Sequence, residues 1–175
     1  ALSFFTTYAA VDGFDPRTVT ARPPRERKPI DRWALSVLQS LVRDVNTEME
    51  GYRLYTVVPR LVSFIDQLTN TYIRLNRARF WKSPDPLDQA DAYHTLYQVL
   101  TTFAKVLAPF MPFLTEEVYQ RLVRPTDAAA PASVHWCDYP QADEALIDRD
   151  LERDVALSLT VTSLARKLRE DHKLK

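Results

Sequence analysis

Apolar residues recur at helical spacing along most of this chain, and no stretch of useful length alternates at strand spacing. The clearest pattern lies between Tyr52 and Trp81. There Leu61, Ile65, Leu68, Tyr72 and Leu75 recur at steps of four and three, which predicts one buried helix face. Asn70, Arg74, Arg77 and Trp81 recur at steps of four, three and four. Their centre lies roughly 200° around the helix from the apolar stripe, at about 100° per residue. One face can be buried while the opposite face offers an amide, two guanidinium groups and an indole. Thr56 is the expected cap, with Pro59 in the first turn, where a missing N–H has no intrahelical partner to lose. The helix should run to about Phe80, roughly 36 Å at about 1.5 Å per residue. Lys82-Ser83-Pro84-Asp85-Pro86 then ends it.

The rest of the chain reads as further helices around that one. Leu2, Phe5, Tyr8 and Ala9 share a face, so residues 1–11 look like the end of a helix. Asp12-Gly13-Phe14-Asp15-Pro16 is a turn, with Gly13 free to take positive φ. Residues 17–29 form a basic, proline-rich connector without apolar periodicity. Asp31 is the expected N-cap of a helix over 31–50, with Ile30 and Leu35 as a hydrophobic staple. Ala34, Leu38, Leu41, Val45, Met49 and Tyr52 give its apolar stripe, and Gly51 its stop. Residues 88–107 form another amphipathic helix, marked by Tyr93, Leu96, Leu100, Phe103 and Leu107. Pro109-Phe110-Met111-Pro112-Phe113 breaks it, and a short helix follows to about Val123. Residues 125–147 read as loop, with Val134 to Trp136 briefly extended. A last helix starts near Asp148 or Asp150 and carries the stripe Leu157, Val161, Leu164 and Leu168. The expected architecture is all-α, an antiparallel helical bundle.

Composition narrows the chemistry. The 175 residues suffice for one domain, or one domain with an appended element, and 46% are hydrophobic. Only Gly13 and Gly51 are glycine, which excludes a glycine-rich phosphate loop or dinucleotide fingerprint. The single Cys137 excludes an internal disulfide and fits a reducing cytoplasm. No apolar run is long enough to span a bilayer, and the N-terminal stretch lacks the basic start of a signal peptide. Net charge is zero, but it is unevenly distributed. Residues 1–82 hold 13 Lys/Arg against 8 Asp/Glu, residues 83–154 hold 5 against 13, and residues 155–175 hold 5 against 2. A polyanion would be attracted to one side and repelled from another, and so oriented.

The row Asn70, Arg74, Arg77 and Trp81 is the chief candidate for chemistry. Arginines reach phosphates or base edges, and an aromatic ring can stack on an unpaired base. The same row also reads as a solvated basic face with Trp81 covering the bundle edge, or as a protein hot spot, where Trp and Arg are enriched. Glu116 and Glu117 read as helix-dipole acids in a first turn rather than a catalytic pair. His135 and Cys137 fall short of a zinc ligand set, and Cys137 has no activating base. His94 and His172 are isolated, and Arg166, Lys167 and Arg169 are cations at a helix end. No inward-facing Glu-x-x-His set appears, which speaks against an enzyme site in the bundle core.

The segment YRLYTVVPRLVSFIDQLTNTYIRLNRARFW resembles the anticodon-binding helical domain of isoleucyl-tRNA synthetases, class I aminoacyl-tRNA synthetases, in the branch containing eukaryotic cytosolic and some bacterial enzymes. The resemblance covers nearly the whole chain in order. SFFTTYAAVDGFDP is similar to the stretch joining the catalytic half to the bundle, and DRWALSVLQSLV to the bundle's first long helix. NTYIRLNRARFW is the most specific piece. LAPFMPFLTEEVYQRL resembles the family's helix-break-helix unit, SVHWCDYP the loop after it, and ARKLREDHKLK the segment before a region that continues in full-length enzymes. Residues 1–30 would then be the end of a connecting helix and a linker, and 31–175 the bundle, truncated at its C-terminus. Where relatives usually carry Asn-Trp-Tyr, this chain has Asn70-Thr71-Tyr72. The apolar-Pro-Phe-x-Pro-Phe turn also occurs in valyl- and leucyl-tRNA synthetases, so the same domain of those enzymes is the alternative.

The resemblance implies a parent enzyme that activates isoleucine with ATP and Mg and transfers it to its tRNA. HIGH-type and KMSKS-type signatures are absent, so these residues should catalyse nothing and need no cofactor or metal. The implied partner is the anticodon stem-loop of tRNA(Ile), in the cytoplasm, with the chain a monomer away from membranes. The implied RNA contacts are Asn70, Arg74, Arg77, Arg79 and Trp81, with Arg32 and Lys82 on phosphates. Arg79 also lies in register with the buried stripe, where it reads as a cap on the core edge.

Overall fold

The computed structural model describes residues 1–173, and all their regular structure is helical. The elements are α1 (Leu2–Asp12), α2 (Pro29–Glu50), α3 (Leu54–Asp66), a π-helical segment (Gln67–Ile73), α4 (Arg74–Lys82), α5 (Pro86–Leu107), α6 (Pro112–Leu122) and α7 (Arg149–Asp171). The π segment runs without a break from α3 into α4, so the three form one rod. Short 3₁₀ turns lie at Pro24–Glu26, Val134–Trp136 and Glu144–Leu146.

Cross-links show that α2 and the rod are antiparallel. Asp44 pairs with Arg60 at 2.8 Å near the α2–α3 turn. Further from the turn, Asp31 meets Tyr72 and Arg79. The rod and α5 also run oppositely: Phe64 packs on Phe103 with ring centroids 4.8 Å apart, and Phe80 on Tyr93 at 5.0 Å. One core joins Leu38 and Val45 of α2, Leu61 and Phe64 of α3, and Leu96 and Val99 of α5. Phe5 and Ala9 of α1 belong to that same core, so packing is continuous across residue 30. Gly13 caps α1 at φ 64, the left-handed conformation its turn requires.

Several local expectations are corrected. α2 begins at Pro29, two residues early, because proline suits the first helical position. Asp31 is therefore inside the first turn, fully buried, and caps nothing. The positive φ after α2 falls on Tyr52, at 55°, and not on Gly51. That turn throws Tyr52 outward, 91% exposed, and off the α2 stripe. α3 starts at Leu54 rather than at Thr56, so Pro59 lies past the first turn and leaves the Tyr55 carbonyl without an intrahelical N–H. Val134–Trp136 is a 3₁₀ turn, since the Ser133 hydroxyl accepts the His135 N–H at 3.2 Å and closes the backbone there. Glu116 lies beyond the first turn of α6 and anchors that loop: it accepts from the Ser133 hydroxyl at 2.8 Å and the Val134 N–H at 3.0 Å.

The rod departs from its predicted stripe at two places, within α3 and past the π segment. Leu61, Leu68 and Tyr72 are buried, but Ile65 and Leu75 are exposed. In their place Phe64, Asn76 and Phe80 face inward. The π segment holds one extra residue in its turn, so downstream of Leu68 the buried positions advance by four: Tyr72, Asn76, Phe80.

The α7 stripe is also reversed. Leu157, Val161, Leu164 and Leu168 are exposed, and α7 has no buried residue among those described. The helix is held at its start. Glu152 accepts from Ser40 of α2 at 2.7 Å, and Asp148 caps α7 through the Leu151 N–H at 2.9 Å.

Candidate nucleic-acid interface

The interface is built on a buried ion network that fixes the rotation of α4. Arg79 donates through both terminal nitrogens to Asp31, at 2.9 and 2.7 Å. It also reaches Asp88 of α5, through Nε at 3.1 Å and Nη2 at 2.8 Å. Lys28 closes the set on Asp88 at 2.9 Å, and the Tyr72 hydroxyl donates to Asp31 at 2.7 Å. Two cations thus face two carboxylates, with hydrogen bonds on each. Burial alone would raise the Asp88 carboxyl, but the hydrogen bonds from Lys28 and Arg79 outweigh it and hold the group low. Burial likewise opposes the charge on Arg79, and the two aspartates more than compensate. Burial, then the Asp31 charge, pushes the Tyr72 phenol well up.

Arg79 is therefore removed from the expected RNA contacts. Its side chain is 12% exposed, and its donors are engaged inside the fold. Flanked by inward Asn76 and Phe80, Arg79 lies at the seam between α2 and α5, at the core edge its register allowed.

The other members of the row lie outside. Asn70, Arg74, Arg77 and Trp81 are all exposed on one rod. Arg74 and Trp81 are about 10 Å apart along its axis, at about 1.5 Å per residue. Among the described residues no carboxylate lies within ion-pair reach of Arg74, Arg77 or Lys82. Asn70 is the one tethered member, donating to Asp66 at 2.6 Å. That leaves its carbonyl oxygen open as an acceptor.

Trp81 is not a bare platform. Tyr8 of α1 stacks on it with ring centroids 6.4 Å apart and planes 26° from parallel, and the Lys82 ammonium lies 5.5 Å from the ring centroid. The ammonium is within cation–π range. The aromatic residue Tyr8 carried a sequence signal as a member of the α1 face, but nothing in the sequence tied it to Trp81.

Arg32 lies apart from this row. With Pro24, Arg25, Asp148 and Arg149 it lines a cavity of about 550 Å³ beside the start of α7. Its Nε is buried with no hydrogen-bond partner among the described residues. Most cations of the proline-rich connector are engaged internally instead. Arg22 pairs with buried Asp91 at 2.9 Å, and Arg27 donates to Thr95 at 3.0 Å. The connector's positive charge thus ties it to α5.

Among the described residues no group of three or more His, Cys, Asp or Glu could hold a metal. No described helix is long and apolar enough to cross a membrane. Neither glycine belongs to a phosphate-cradling loop: Gly13 caps α1 and Gly51 follows the end of α2.

Comparison with known proteins gives these surfaces a setting. A family model described as the anticodon-binding domain of tRNA ligase matches residues 31–175. An isoleucine–tRNA ligase of Chlamydia pneumoniae is 46% identical over 174 residues, 99% of this chain and 16% of that protein. Those of Dehalococcoides mccartyi and Clostridium tetani are 42% and 39% identical over 99% of this chain. The chain spans 16–17% of the length of these relatives. An all-helical bundle whose exposed rod carries unpaired arginines beside an indole, matched over its length by such sequences, belongs to the anticodon-binding domains of tRNA ligases.

Proposed function

We propose that this chain grips the anticodon stem-loop of tRNA(Ile), as one part of an isoleucine–tRNA ligase that works in the cytoplasm. The parent would join isoleucine to its tRNA at the expense of ATP, at a site outside these residues. The observation that carries the reading is the exposed row of Asn70, Arg74, Arg77 and Trp81, whose two arginines have no carboxylate in reach among the described residues. An unpaired arginine pair attracts phosphate, the indole offers a face to an unstacked base, and Asn70 offers an amide edge. Lys82 supplies a further cation beside the ring. Arg32, on the lining of the far cavity, is the candidate phosphate contact there.

The test is binding of this chain to a tRNA(Ile) transcript and to one with an altered anticodon, at low and moderate salt. Binding should weaken steeply with salt as counterions are released, at a slope of about 0.7 to 0.9 per phosphate contact. It should favour the native anticodon and disappear in Arg74→Ala/Arg77→Ala. Salt-insensitive binding, or a double variant that binds like the parent chain, refutes the reading.

A protein contact has its own surface. The exposed apolar stripe of α7 suits a polypeptide partner better than RNA, and it lies on a different helix from the arginine row.

A further inference from the structure

A groove of about 390 Å³ separates the π segment from α7. That is within the roughly 300–1,000 Å³ of small-ligand sites. Ile30, Leu75, Val155 and Leu159 supply its apolar lining. Ser158, Thr162 and Ser163 supply hydroxyls. Asn70 and Arg74 stand on one wall and Arg166 on the other.

Two features need explanation. First, α7 packs the wrong way for an amphipathic helix. Its hydroxyls and Arg166 face the groove, while Leu157, Val161, Leu164 and Leu168 point outward. Second, Arg74 and Arg166 confront each other across the groove, and neither forms an ion pair among the described residues. Like charges on opposite walls repel unless an anion lies between them. Among the described residues no Asp or Glu lines the groove, and Asp66, beside it, is engaged by the Asn70 amide at 2.6 Å.

We propose that this groove receives one unstacked base of the bound RNA loop, with Arg74 and Arg166 on its phosphate, Asn70 on its edge and the apolar lining against its face. α7 then contributes affinity through Arg166 and shapes the base pocket through Thr162. The proposal rests on the anticodon reading above. An apolar floor with a polar rim and an anion clamp is the chemistry of a nucleotide site. A purely apolar peptide would leave both arginines without partners.

The test uses anticodon hairpins carrying 2-aminopurine at each loop position in turn. The unaltered chain should change the emission at one position. Thr162→Trp, which fills the groove from an exposed residue, should abolish that change and weaken binding on the order of tenfold, the scale of one base contact. Arg166→Ala should lower the slope of log affinity against log salt by about 0.7, one single-strand phosphate. Both positions are exposed, so far-UV circular dichroism and melting temperature should stay those of the parent. If Thr162→Trp binds with the parent's affinity and emission while Arg77→Ala loses binding, the groove proposal is overturned and the anticodon reading stands. If the unaltered chain shows no salt-dependent binding, both are overturned.

Discussion

Replacing Arg79 by alanine should destabilise the fold and leave RNA contact intact. The substitution removes both donors from Asp31, at 2.9 and 2.7 Å, and two from Asp88, at 3.1 and 2.8 Å. The two aspartates fare differently. Asp88 keeps the Lys28 ammonium at 2.9 Å. Asp31, fully buried, keeps the Tyr72 hydroxyl at 2.7 Å as its one remaining side-chain hydrogen bond among the described residues. One buried charge is then uncompensated, which costs about 3–5 kcal/mol. At about 2–4 °C per kcal/mol for a chain of this size, the melting temperature should fall by roughly 6–20 °C. Urea unfolding followed by circular dichroism gives the same quantity, with a lower midpoint and an unchanged m-value. Adding Asp31→Asn should recover part of the loss, because a neutral amide needs no counter-charge. At a temperature where Arg79→Ala is fully folded, its RNA affinity should match the parent's. A loss below about 1 kcal/mol, or no recovery in the double variant, refutes the uncompensated-charge argument. A folded variant that no longer binds RNA refutes the structural assignment of Arg79.

The complementary expectation is that Arg77→Ala leaves the melting temperature within about 2 °C, since exposed sites contribute within about 0.5 kcal/mol, while RNA binding weakens at every salt concentration. Acid should act through Asp88. A carboxyl held low in the fold contributes stability that is complete above its unfolded pKa of about 3.9 and is lost as pH falls through the folded value. The urea midpoint should therefore drop as pH is lowered from about 5 toward 2, and Arg79→Ala should drop less over that range; equal slopes would remove the linkage. Gly13→Ala should cost about 1–2 kcal/mol by urea titration, because a Cβ there meets no atom within 4 Å and strain at φ 64 is the whole effect. A neutral substitution would mean the turn relaxes freely.

Helical periodicity made most of the bundle legible. The α5 stripe of Tyr93, Leu96, Leu100, Phe103 and Leu107 is buried as its spacing predicts, because that helix is regular and packed by α1, α2, α4 and α6. The exposure of Asn70, Arg74, Arg77 and Trp81 was readable for a related reason: the row is polar at helical steps on one face. Arg79 was ambiguous because its partners, Asp31 and Asp88, are 48 and 9 residues away, and no local pattern reports such a pairing. Asp31 misled because an acid after proline has the composition of a cap, whereas burial gave it a different role. The α7 stripe misled in the opposite way. Its spacing is as good as that of α5, but only the start of α7 touches α2, and its apolar face has no described neighbour. Periodicity reports which residues share a face, and it cannot report which face is covered.

The π segment makes the rod tolerant of a change in length at one place and intolerant elsewhere. Gln67–Ile73 holds one residue more than an α-helical turn would, and the surplus is absorbed there. A related chain one residue shorter within that window would form an uninterrupted α-helix, with the counterparts of Tyr72, Asn76 and Phe80 still facing inward. The same loss inside α4 would turn Arg77 and Trp81 toward the core and take Arg79 away from Asp31. When such sequences are aligned, a single gap in this rod belongs between positions 67 and 73. Placed anywhere downstream, it would pair exposed residues with buried ones.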